Sequence, residues 1–247
     1  GPSLGAPHQP GEPEGYRLVD QWPFPDPSVD MTGLVRSATG LEIAPDGTIF
    51  VADPGVGGIH VVTPDGRFLP PLGAGSEGPE HIGAPGKLAA GPVSAAAGAE
   101  WRLYALDDGS DRVVVYAADG AFVAEWTGID AAGIGVGSDG TVYLADRARS
   151  VISLRSPSGA EIGTFGARGL GPGQFSGLVD LDVAPVAREA GAYDAVAVAD
   201  LDRLRVQLFA VEAGGLAPLR TFDLTAVQYQ GCPAASVQVL GDERVWA

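Results

Sequence analysis

The sequence predicts an all-β fold of repeated four-stranded antiparallel units, and three observations carry that prediction. A phrase recurs: Asp46-Gly47-Thr48-Ile49-Phe50-Val51-Ala52-Asp53 returns as Asp139-Gly140-Thr141-Val142-Tyr143-Leu144-Ala145-Asp146, with looser copies ending at Asp107 and Asp200. Asp-Gly turns separate short Val-, Ile- and aromatic-rich runs, a hairpin signal because tight hairpin turns need φ > 0 and Gly reaches it without a steric penalty. No window holds a helical period over two turns.

Within a unit the elements follow a fixed order. An apolar run opens it, as in Gly40-Leu41-Glu42-Ile43-Ala44, and a turn follows at 45–47 or 138–140. The second run ends in Ala-Asp. After a few polar or Gly residues comes a third run, at 59–63, 112–116, 151–154 and 205–209. A second turn closes it at 64–66, 118–120 or 157–159, and a fourth run ends near Trp126, Phe165 or Phe222. The runs are apolar on both faces, which suits sheets stacked on one another. The terminal aspartates lie at 53, 107, 146 and 200, in steps of 54, 39 and 54. Propeller blades repeat at about 40–50 residues. The longer steps contain insertions at 186–192 and 73–86. The units are placed at about 40–71, 86–127, 130–166 and 176–223.

These residues resemble the NHL-repeat family. Its Gly-x-Gly-x-Phe signature matches Gly171-Pro172-Gly173-Gln174-Phe175, and Leu181-Asp182-Val183-Ala184 follows. Its Arg-Val-Gln-Val-Phe signature matches Arg205-Val206-Gln207-Leu208-Phe209, and more loosely Arg112-Val113-Val114-Val115-Tyr116. The resemblance covers about residues 16–247 and implies a β-propeller, commonly six-bladed. The second copy departs from the pattern in having no Asp-Gly ahead of Trp101. The fourth carries an inserted connection between its first two strands.

The two ends read as parts of one blade. Residues 16–24 resemble a fourth strand, and 234–247 a first and second strand. The expectation is four full blades plus a partial one, closed by the N-terminal strand, with residues 1–15 as a flexible Gly/Pro-rich leader. By this count the chain is a fragment of a six-bladed wheel, an incomplete piece of one, or a subunit completed by another chain, with self-association as a further option.

Composition narrows the function. A net charge of −16, with Lys87 the single lysine, disfavours nucleic acid, whose phosphates such acidity repels. No apolar run approaches a membrane span. The Arg-rich, Lys-poor usage suggests a bacterial source, and an extracytoplasmic or secreted location is expected. Cys232 is alone, so no internal disulfide forms.

Candidate chemistry lies between the repeats. The aspartates at 53, 107, 146 and 200 invite a metal, but one Asp per blade at a strand end suits hydrogen bonds to turn amides better. The run 107–111 resembles a short calcium loop without the spacing and terminal Glu of an EF-hand. Calcium therefore stays as a possible cofactor, with no metal ligand or catalytic residue assigned. Propeller lyases and lactonases draw central His, Glu, Asn and Asp from several blades. Here the histidines are His8, His60 and His81, and Asn is absent. Long connections gather at one end, and long loops make better binding surfaces than tight turns. A protein or glycan ligand is expected there, met by His81, Arg147, Arg149, Gln174, Arg203, Gln228 and Tyr229. The expected role is non-catalytic recognition or scaffolding. The alternatives are a propeller hydrolase or lyase with one central divalent ion, and a structural subunit completed by a partner.

Overall fold

A computed structural model describes residues 35–75, 77–188, 191–213, 215–224, 237–239 and 245–246. The leader, the strand expected at 16–24, His8, Gln228, Tyr229 and Cys232 lie outside them. The described residues hold no α-helix, only one 3-10 turn at Leu201–Arg203.

Sixteen of the strands build four antiparallel sheets, each a meander in chain order. The first holds β1 (Gly40–Ile43), β2 (Ile49–Asp53), β3 (Gly58–Val62) and β4 (Phe68–Leu72); the second, β5 (Pro85–Pro92), β6 (Trp101–Asp107), β7 (Arg112–Ala117) and β8 (Phe122–Thr127). The third holds β9 (Ala131–Val136), β10 (Val142–Asp146), β11 (Val151–Arg155) and β12 (Glu161–Phe165). Then come a short parallel pair, β13 (Ala167–Arg168) and β14 (Gln174–Phe175), and the fourth sheet. That sheet is β15 (Leu178–Arg188), β16 (Gly191–Asp200), β17 (Arg205–Glu212) and β18 (Gly215–Asp223). A last antiparallel pair joins β19 (Gln238–Val239) to β20 (Val245–Trp246).

The core lies between sheets rather than within one. Phe50, Ile59, Leu103 and Tyr116 fill the space between the first and second sheets. Tyr104, Val113, Trp126 and Ile134 fill the next. Tyr143, Phe175, Val198 and Phe209 fill the third, and Val186, Ala197, Leu208 and Val237 cover the far face of the fourth sheet. First strands β1, β5, β9, β15 and β19 follow one another side by side. This is why both faces of each run are apolar: each sheet is sandwiched.

Two glycines set the closest approach. A Cβ on Gly133 would lie 2.2 Å from the Leu181 nitrogen, and one on Gly135 2.6 Å from Val183 Cγ2. Any larger residue at either place would push β9 away from β15.

The insertion expected at 186–192 is not a separate loop. β15 and β16 extend into it from both sides, pairing Val186 with Tyr193 and Ala187 with Ala192. Small apolar residues alternate there, Val186 is buried, and Asp194 accepts from Ser138 N (2.7 Å) and Ser138 Oγ (3.0 Å) on the neighbouring sheet. The extension is therefore packed, which favours strand over coil.

Candidate functional site

Strand direction alternates, so first strands begin and second strands end at one end of the stack. That loop end also carries the turns between second and third strands and the connections between sheets. The repeated aspartates stand there. Asp53 is fully buried and accepts from Arg36 N (2.6 Å), Ser37 N (3.0 Å), Gly55 N (2.9 Å) and His60 Nε2 (3.0 Å). Burial alone would raise its pKa, but these donors together hold it below the ordinary carboxylate value. Asp107 accepts from Ala84 N and Arg112 Nε, both at 3.0 Å. Asp200 accepts from Gly177 N (2.9 Å), Ser176 Oγ (3.2 Å) and Arg205 Nη2 (2.9 Å). Each of the three fastens the connection that enters its own sheet.

The residues expected at the site do different jobs. His81 is built into the 73–84 connection: its Nδ1 lies 2.9 Å from the Gly73 carbonyl, and its own carbonyl accepts from Arg112 Nη2. Gln174 Oε1 accepts from Leu170 N (3.0 Å) and Gly171 N (2.9 Å), so it braces the 166–177 connection. Arg149 is caught in an outward network with Asp146 (2.7 Å) and Glu161 (2.5 Å). The Arg149 guanidinium and the Ser153 hydroxyl hold Glu161 down to about 2. Arg203 stands exposed on the 3-10 turn.

Arg147 alone of the set lines a cleft. It pairs with Asp130 at 3.1 Å and, with Asp108, Asp111, Arg112 and Ile129, borders a small, shallow cleft between the second and third sheets. Burial pushes the Asp108 carboxyl up, against the pull of Arg147 and Lys87. Lys87 Nζ reaches Asp180 Oδ2 at 3.0 Å, and the same oxygen accepts from Val237 N. The end of the stack thus offers a mixed-charge cleft and, apart from it, two braced loops. It does not gather the expected residues into one constellation.

Sequence reasoning missed the Lys87–Asp180 pair between sheets, and Arg112, Arg205 and Gln207 beneath the loops. Arg112 and Arg205 were legible, because both open a third strand directly after the turn that follows Ala-Asp or Leu-Asp. The Lys87–Asp180 pair joins residues 93 apart and leaves no local signal.

No family model matches the chain, and no curated protein matches it. Solved structures do. A virginiamycin B lyase from Staphylococcus aureus superposes with a TM-score of 0.53 at 13% identity, over 82% of this chain and 59% of that one. The hydrazine synthase of Kuenenia stuttgartiensis gives 0.53 at 15% identity, over 84% of this chain and 52% of that one. A Lactobacillus plantarum protein gives 0.54 at 15% identity, over 85% and 64%. The fold is a β-propeller. The chain spans between 52% and 64% of the length of these neighbours, and at such identities the likeness speaks for the fold alone. No helix among the described residues is long and apolar enough to cross a membrane.

Proposed function

We propose that this chain is an NHL-like propeller module that recognises a protein or glycan with its loop end, without chemistry of its own, outside the cytoplasm of a bacterium. The observation that carries the reading is the bracing of the long connections. Residues 73–84 are fastened by Asp107, Arg112 and Tyr116, whose hydroxyl donates to the Glu80 carbonyl at 2.6 Å. Residues 166–177 are fastened by Asp200, Arg205 and Gln207. Loops held this way lose little entropy on binding, which favours recognition by a preformed surface. The recurring aspartates support the same reading, since backbone amides and arginines already occupy their oxygens.

A second reading is a hydrolase or lyase with one central divalent ion, although no group of three or more His, Cys, Asp or Glu among the described residues is arranged to hold one. Elemental analysis of the purified chain separates the two. One calcium or zinc bound per chain would support the enzyme, whereas metal far below that level supports recognition. A third reading is a subunit finished by another chain. A native mass equal to one chain argues against it.

A further inference from the structure

The residue just ahead of the third strand is left-handed in every sheet: Gly57 (φ 63°), Asp111 (47°), Ser150 (56°) and Leu204 (46°). The turn requires this conformation. Gly adopts it freely and Asp tolerates it, but a side chain branched like leucine pays a steric penalty. Such a penalty is ordinarily offset by burial, yet Leu204 is 40% exposed. Leu204 caps the 3-10 turn, its N–H donating to the Leu201 carbonyl, and departures from local preference of this kind concentrate at functional sites.

A second exposed leucine lies on the connection that Arg205 fastens. Leu170 is 58% exposed at the tip of the 166–177 connection. The tip is rigid: Arg205, the residue after Leu204, donates to the Leu170 carbonyl (2.9 Å) and the Gln174 carbonyl (2.7 Å). Gln207 donates to the same Gln174 carbonyl and accepts from Gly173 N (3.0 Å). The strand that follows Leu204 is thus tied through one guanidinium to the backbone at Leu170 and Gln174. Arg168 and Arg203 adjoin them in sequence, both exposed, and among the described residues neither side chain has a hydrogen bond or ion pair. On a chain of net charge −16, these two guanidiniums place positive charge next to two exposed leucines, with the exposed Asp202 beside Arg203 on the same turn.

We propose that Leu170 and Leu204, framed by Arg168 and Arg203, form a docking surface for an acidic peptide segment that carries an apolar anchor. The inference rests on the loop end being the recognition surface, and it names the partner's chemistry. The anchor covers the leucines and its flanking carboxylates meet the arginines, an arrangement that basic or purely polar segments cannot match.

The test pans a phage-displayed library of random peptides on the whole chain, then measures selected peptides by fluorescence anisotropy. Enriched sequences should combine Asp or Glu with Leu, Ile or Phe. Their affinity should fall about tenfold or more on Arg168→Glu/Arg203→Glu and on Leu204→Asn. Because Asn accepts the left-handed turn, Leu204→Asn should also raise the Tm. That pairing of higher stability with weaker binding is one that a structural role for Leu204 would not produce. A lower Tm with unchanged affinity overturns the proposal, as do basic or neutral enriched sequences. Binding lost in Arg147→Glu but kept in the double arginine variant overturns the proposal while leaving the loop-end reading intact. A glycan-array signal that the double variant abolishes, without peptide binding, does the same. Binding indifferent to all three variants removes both.

Discussion

The second and fourth sheets differ from the third in how they use the same aspartate. In the second and fourth, Asp107 and Asp200 are nearly or fully buried, and Arg112 and Arg205 are only 13% and 12% exposed above them. In the third, Asp146 is 20% and Arg149 45% exposed. The connections explain the difference. Those entering the second and fourth sheets are long and need fastening. The one entering the third is short, with Ile129 N bonded to the Asp111 carbonyl and Arg147 N to the Asp130 carbonyl. The first sheet shows a third solution, with His60 in the arginine's place. A repeated residue therefore has no fixed role; the length of the loop it faces decides whether it is a buried anchor or a surface charge.

The largest expected effect breaks a buried anchor. Asp200→Ala leaves Arg205 half of a buried pair and frees the Ser176 and Gly177 amides. It should cost about 3–5 kcal/mol, read by denaturant unfolding. A loss no larger than that of the third sheet's variant would erase the contrast.

Donor number is the next point to sharpen. Asp53 has four donors and stays low, whereas Glu42 accepts from Ala90 N alone. Burial, reinforced by Asp182, raises Glu42 from 4.5 to about 7. A carboxyl raised on folding binds more protons folded than unfolded between those values, so stability is present at low pH and declines as pH climbs through 4.5 towards 7. Glu42→Gln removes the decline. It should be more stable than the parent by about 1–3 kcal/mol at pH 8 and close to it at pH 4. Parallel Tm profiles for the two proteins across that window would refute the account.

The smallest effect is expected in the third sheet. Asp146→Ala disrupts an exposed network and should cost at most about 1 kcal/mol, diminishing further in high salt. A cost matching Asp200→Ala would show that exposure is not the deciding variable.

The fold class was legible because hairpin chemistry is local: Gly47, Gly66, Gly120, Gly140 and Gly159 all take the positive φ their turns require. The site was less so. His81 and Gln174 were expected to meet a ligand from their loops, but a sequence does not say whether a polar side chain points to solvent or back to its own backbone. Both turn inward. Leu170 and Leu204 escaped notice for the opposite reason, since apolar residues in a propeller are read as core. Val186 to Ala192 looked like an insertion because Arg188, Glu189 and Gly191 interrupt the apolar pattern, and nothing local announces that the paired strands extend into it.

The Lys87–Asp180 pair reaches past a neighbour, joining the second sheet to the fourth over the third. Arrays whose units touch only adjacent units can melt from an end, one unit at a time. A tie that skips a unit forms only after all three sheets have been laid down, so it arrives late in folding and carries the entropy of a long closure. Its presence makes the middle of the chain an all-or-none block. Fraying of either flanking sheet must first release the one lysine the chain contains, which gives amine labelling a direct read on the opening of that block.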